Sequence, residues 1–219
     1  MATVGLVLPF AVGVALSPMA IVAVIVLTRS AHATVNAGAF VVGWLLGLVV
    51  ASLVLLLVGG LLGAGGASPP GWVAPVRLVL GAALLAFAWE RAGARRASLD
   101  HGSSWVVSLD RMSADRALAM GAVQSALDPR KLVVIAAATL LMAQAGHGSA
   151  ETLLAMLAFV LVGTVGVALP MVWPRVGGAT ARDRLDAVGD RLVDDNATIQ
   201  AVSLLLLGAL LAGQGLAGL

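Results

Sequence analysis

The sequence contains no cysteine. Disulfides, thiolate metal sites and membrane dithiol chemistry are therefore excluded. Charge is scarce as well: Asp, Glu, Lys and Arg make up 11% of the 219 residues, against about 25% in soluble domains. With 60% hydrophobic residues and a mean hydropathy of +1.03, too little polar surface is left to cover a water-soluble fold. The three histidines, His32, His101 and His147, are scattered among polar segments, so no metal site and no cofactor is expected. The pI of 10.4 rests on a net charge of only +2. It reflects arginines in loops and does not point to a nucleic-acid partner.

What the chain has instead is long apolar runs. They are continuous and do not alternate, which excludes a barrel and makes this an all-α integral membrane protein. At roughly 20 residues per span, six transmembrane helices are expected: about Val4 to Thr28, Asn36 to Leu62, Trp72 to Glu90, Ala117 to Ala145, Thr152 to Trp173 and Thr198 to Leu216. The first run lacks a basic flank before it and is too long for a signal peptide, so it is expected to stay in the mature protein. Trp72 and Trp89 are spaced as anchors at opposite interfaces, and Trp105-Val106-Val107 could touch the membrane surface. Leu185, Val188 and Leu192 share a helical face, which predicts an amphipathic helix over about 179–195.

Basic residues set the orientation. Arg29, then Arg91, Arg95, Arg96, Arg111 and Arg116, then Arg175, Arg182, Arg184 and Arg191 follow the first, third and fifth spans. Those loops belong on the cytoplasmic side, leaving both termini extracytoplasmic in a multi-pass plasma-membrane protein.

Two spans are interrupted. Ala15-Leu16-Ser17-Pro18 and Ala126-Leu127-Asp128-Pro129 share one pattern; Ser17 lies about 11 residues past Leu6 and Asp128 about 11 past Ala117, each roughly 16 Å in. An N-cap residue followed by proline is how a helix starts. Residues 1–92 and 117–219 then form two three-helix repeats joined by a cytoplasmic loop, 93–116. An odd number of spans per repeat makes the repeats inverted, an architecture that places binding sites at broken helices near the midplane.

Arg130 and Lys131 fall in the first turn after the second break, where cations oppose the helix dipole. An anion held between the two helix starts would account for them. Ser17, Pro18, Gln124, Asp128, Pro129, Arg130 and Lys131 are the candidate substrate-binding residues. Asp128 could hold a neighbouring cation when no ligand is bound, or carry a proton, and Gln124 could donate a hydrogen bond one turn earlier. A packed kink at Pro18 and a structural ion pair at Asp128 are the plainer alternatives. Asn36 is read as a helix cap with a secondary role facing the pathway, and Arg77 as a snorkelling residue or a second pathway residue. Ala39, Gly43, Gly47 and Ala51 repeat every four residues, a face for close helix packing inside the chain or across a homodimer.

Ser17-Pro18, Arg29-Ser30, Asn36-Ala37, Phe40, Gly43-Trp44-x-x-Gly47 and the mid-chain Asp128-Pro129-Arg130-Lys131 together resemble the peptidoglycolipid-addressing (GAP, or Sap-like) proteins of the lysine-exporter (LysE) superfamily. The resemblance covers the whole chain. It implies a six-helix membrane protein of actinobacteria that moves glycolipids toward the cell envelope. Asp128 stands where relatives often have Asn, which adds an ionisable group, and the missing cysteines exclude the superfamily's redox branch. No acid/base or nucleophile cluster appears outside the Asp128 region, so an enzyme is not expected. The leading expectation is an exporter or flippase for an anionic lipid, glycolipid or similar amphiphile, with membrane lipids as its partners. An exporter of small polar solutes, and a non-transporting subunit of a lipid-export machine, are the alternatives.

Overall fold

The computed structural model describes residues 2–30, 32–65, 70–93, 112–144 and 150–218. Trp105, Val106, Val107, His101, His147 and the arginines at 95, 96 and 111 lie outside the described residues. All regular structure among the described residues is helical. In chain order the elements are α1 (Ala2–Ala15), α2 (Pro18–Leu27), α3 (Ala33–Leu61), α4 (Val73–Gly93), α5 (Ala114–Ala126), α6 (Pro129–Gln144), α7 (Ala150–Asp194) and α8 (Asn196–Leu216).

Both expected interruptions are present. Helix α1 stops at Ala15 and α2 restarts at Pro18, with Ser17 extended (φ −92°, ψ 96°) and the two axes bent by 53°. A proline cannot donate to the preceding turn, and the Ser17 carbonyl instead accepts from Ala20 and Ile21 N–H, both at 3.1 Å. Helix α5 stops at Ala126 and α6 restarts at Pro129, where the Asp128 carbonyl accepts from Leu132 N–H at 2.9 Å.

Among the described residues four helices are long and apolar enough to cross a membrane: α3, α4, residues Ala150–Trp173 of α7, and α8. The bent α1–α2 pair makes a fifth when counted as one span. This falls short of the six expected from the sequence. The α5–α6 pair is missing because Asp128, Arg130 and Lys131 at its break, with Asp115 and Arg116 at its start, dilute its apolar character. The outward faces carry Leu57, Leu61, Val79, Leu161 and Leu206, all more than half exposed. So large an apolar surface would drive aggregation in water and is at home in lipid.

Packing is closest where glycines line up. Gly43 sits on the Leu118 backbone, Gly47 on Ala122 and Ser125, and Gly121 on Phe40 and Trp44; any added Cβ would collide with main chain. The Gly43–Gly47 stripe is thus seated inside the chain, with α3 and α5 running parallel. Gly163 and Gly166 bring α7 onto Val14 and Ala15 of α1 in the same parallel sense. Gly81, Gly208 and Gly215 join α4 to α8 in the antiparallel sense, with Gly215 against Leu78. Every one of these large contacts joins the first half of the chain to the second, and helices within one half barely touch. A continuous apolar core results, with Phe10, Phe40, Trp44, Leu48, Ile135, Met142 and Phe159 inaccessible at its centre.

Gly178 breaks α7 (φ 65°, ψ −148°), a backbone region essentially reserved for glycine. Beyond it the helix returns to α2, where Gly189 rests against Ile25. Leu185 and Leu192 are half-buried on that side, but Val188 is 46% exposed. The inward face is therefore Leu185–Gly189–Leu192, shifted by one residue from the predicted stripe. Trp89 is 83% exposed, whereas Trp72 packs partly against Val73, Leu140 and Ala143.

Candidate functional site

Ser17, Gln124, Asp128, Arg130 and Lys131 line one cavity of about 210 Å³. The two helix breaks, more than a hundred residues apart in sequence, therefore meet at the same place. Gly13, Val14, Leu16 and Met19 complete its first wall, and Val134 adds an apolar surface from α6. The fourth wall comes from α8, with Gln200, Ser203, Leu204 and Leu207. Pro18 and Pro129 do not line it; their part is to start the helices whose ends do.

Around the second break the hydrogen bonding is dense. Arg130 N–H donates to Asp128 Oδ1 at 3.0 Å, so Asp128 is a genuine side-chain N-cap. Ser17 occupies the equivalent position but its hydroxyl makes no cap bond. Lys131 Nζ donates to Asp128 Oδ2 at 3.2 Å and to the Gln124 main-chain carbonyl at 2.9 Å. It also lies 4.8 Å from the centroid of the Trp44 ring, within cation–π range. Trp44 is itself fixed, stacked on Phe40 and donating from Nε1 to the Gly163 carbonyl at 3.2 Å. Lys131 is thus held by a carboxylate, a carbonyl and an aromatic face, its side chain only 12% exposed.

Arg130 turns the other way. Its guanidinium is 3.7 Å from Glu90 and 5.9 Å from the Phe87 ring centroid, both on α4. Asp128 therefore pairs with Lys131, and Arg130 with a residue that the sequence reading treated only as the end of a span. Arg130 Nε, Gln124 Oε1 and Gln200 Oε1 are buried without a hydrogen-bond partner. Buried polar atoms are nearly always satisfied by protein, water or ligand, so three such atoms beside one cavity mark it as a place built to hold something polar. Arg130, Lys131 and Asp128 give the lining a net positive charge.

Two expected pathway residues lie elsewhere. Asn36 is not a cap: α3 begins at Ala33, and Asn36, 4% exposed, donates from Nδ2 to the Met112 carbonyl at 2.9 Å and to Ser30 Oγ at 3.4 Å. It ties the start of α3 to the segment leading into α5. Arg77 does not snorkel freely; it donates to Gln144 Oε1 and lines a separate cavity. Gln200 and Ser203 were missed, although two polar residues one turn apart in an apolar span were a legible signal. Trp44 lay within the Gly43-Trp44-x-x-Gly47 motif, but its place beneath Lys131 needed the tertiary fold.

Residues 7–217 match the family described as Sap, sulfolipid-1-addressing protein. The chain belongs to this family. The match takes in both helix breaks and all the residues that line the shared cavity, so the site belongs to the Sap-family portion of the chain. Searches of curated proteins and of solved structures return no significant match.

Proposed function

We propose that this Sap-family protein moves the anionic head group of a lipid, glycolipid or similar amphiphile across the membrane, as an exporter or flippase working by alternating access. The carrying observation is the convergence of two interrupted helices, one from each half, on a single cavity with buried cations. Two helix N-termini add partial positive charge to that of Arg130 and Lys131. The family's own description names a lipid, sulfolipid-1, which agrees with a substrate whose tails can stay in the bilayer while its head group enters the cavity.

In this reading the α5–α6 pair is a sixth, broken span, and the chain is a pair of inverted three-helix repeats of the LysE superfamily type. Exchange of partners between the halves supports this: α3 lies along the broken helix of the second half, and α7 along that of the first. Both termini face the extracytoplasmic side of the plasma membrane, as the arginine-bearing loops require. The protein carries out no bond chemistry and uses no cofactor.

Asp128 and Lys131 supply the resting state. Without ligand the ammonium is neutralised internally, and an arriving oxyanion exchanges for the carboxylate. The same pair favours one second reading, a small zwitterionic solute bound end to end by both groups. Reconstitution into liposomes separates the two: labelled anionic lipid should cross and amino acids should not. Arg130→Gln and Lys131→Gln should each slow lipid movement at least tenfold while leaving insertion intact. Unchanged flux in both variants would overturn the proposal, and protein that moves nothing without a large partner would assign it to an accessory subunit.

A further inference from the structure

A second polar cavity, of about 450 Å³, lies at the opposite end of the bundle and is lined by Thr3, Arg77, Gln144 and Gln214 together with apolar residues. It is assembled from the ends of four helices: the starts of α1 and α4 and the ends of α6 and α8. The polar side chains that meet there are not satisfied. Arg77 donates to Gln144 Oε1, yet Arg77 Nε, Gln144 Nε2 and Gln214 Oε1 are all buried with no partner. A purely structural arginine tie would be saturated, because an orphaned buried donor carries a desolvation cost that nothing offsets. No acidic residue is among those lining the cavity. The first cavity has Asp128 in its lining as an internal counter-anion; among the described residues, the lining of this one holds no carboxylate side chain.

The two cavities are connected through the same three helices. Helix α1 carries Gly13 at one and Leu6 at the other, α6 carries Arg130 and Gln144, and α8 carries Gln200 and Gln214. From Arg130 to Gln144 and from Gln200 to Gln214 the separation is fourteen residues, about 20 Å along a helix. With the helix breaks near the midplane, that exceeds the roughly 15 Å half-thickness of the hydrocarbon layer, so the second cavity falls at the membrane face in that reading.

We propose that Arg77 and Gln144 form a second binding site for an oxyanion (sulfate, phosphate or carboxylate) at the end of the bundle away from the helix breaks. The guanidinium Nε and the Gln144 amide are its two free donors, and a planar guanidinium suits an oxyanion better than an ammonium would. As a relay station for the head group this rests on the transport reading; as an anion site it stands independently.

The test uses the full chain in phosphatidylcholine nanodiscs, with two probes. Radiolabelled inorganic sulfate reports a free anion, and nanodiscs doped with phosphatidylglycerol, read by native mass spectrometry, report a lipid head group. Arg77→Gln should weaken one class of bound anion tenfold or more and leave the other class unaltered, while Lys131→Gln should do the converse. Gln144→Leu, which keeps the charge and removes one donor, should weaken the Arg77 class several-fold, and it decides the matter if Arg77→Gln does not fold. An Arg77-dependent signal in either arm supports the site and says whether a free anion or a head group fills it. Anion number and affinity unchanged in both Arg77→Gln and Gln144→Leu would overturn it. If Arg77→Gln loses a site and Lys131→Gln loses none, the central binding reading falls and this one remains.

Discussion

Lys131→Met should destabilise the native protein yet stabilise it once Asp128 is already Asn. Lys131 Nζ has three attractive neighbours, Asp128 Oδ2 at 3.2 Å, the Gln124 carbonyl at 2.9 Å and the Trp44 ring at 4.8 Å. Asp128→Asn removes the compensating charge and, with it, the Oδ2 acceptor of Lys131; the amide oxygen can still cap Arg130 N–H, so the roughly 1 kcal/mol attached to a cap is retained. What is lost is the counter-charge of an ammonium only 12% exposed. Breaking a buried pair from one side costs about 3–5 kcal/mol. The carbonyl and the ring survive, so the lower end, about 3 kcal/mol, applies here. Lys131→Met alone leaves a carboxylate that is 29% exposed and still bonded to Arg130 N–H, and should cost about 1–2 kcal/mol. The double variant has no buried charge left to compensate. Replacing both ends of such a pair by neutral groups of similar volume is often close to neutral, so the double variant should be more stable than Asp128→Asn by about 2 kcal/mol. Unfolding of the four proteins by SDS titration in mixed micelles measures the cycle. Additivity within about 0.5 kcal/mol, or a Lys131→Met change that destabilises both backgrounds equally, would refute the claim that Asp128 is the internal counter-ion.

Other substitutions probe the packing. Gly43→Leu should prevent α3 from seating on the Leu118 backbone and abolish the folded bundle, whereas Gly38→Ala, with nothing within 4 Å of the added methyl, should raise stability by up to about 1 kcal/mol; thermal unfolding in detergent compares them. Gly178→Ala should cost about 1–3 kcal/mol through its positive φ and straighten α7. The loss of an engineered Ile25→Cys/Gly189→Cys disulfide, readable in a chain with no native cysteine, would report it. Asn36→Leu should cost about 1–3 kcal/mol by leaving the Met112 carbonyl unpaired, seen as faster proteolysis between α4 and α5.

The helix breaks were legible because they rest on local chemistry. Pro18 and Pro129 lack an N–H, and the residue before each can cap. The close faces at Gly43, Gly47 and the long apolar runs were legible for the same reason, as periodic patterns within one helix. What escaped was whatever depends on which helix lies opposite. Arg130 could have paired with Asp128 two residues away, and only the approach of α4 shows that it turns to Glu90 and Phe87. Asn36 read as a cap because Asn caps helices well, but α3 begins three residues earlier and a distant carbonyl claims its side chain. Arg77 looked peripheral from its depth in one span; its meaning comes from Gln144 and Gln214 on two other helices. Gln200 and Ser203 carry no charge, and a neutral amide or hydroxyl in an apolar span is a fainter mark than an ionised group.

The pairing of α3 with α5, of α1 with α7 and of α4 with α8 has a consequence for how the molecule comes into being. A ribosome that has delivered α1 through α4 has placed helices in lipid whose glycine-lined faces still have nothing to press against. They must drift as loose neighbours until their counterparts emerge, and then the whole bundle closes at once. The covalent link between α4 and α5 thus serves chiefly to raise the local concentration of two mutually dependent halves, which behave as the subunits of a heterodimer that happens to be translated in one piece.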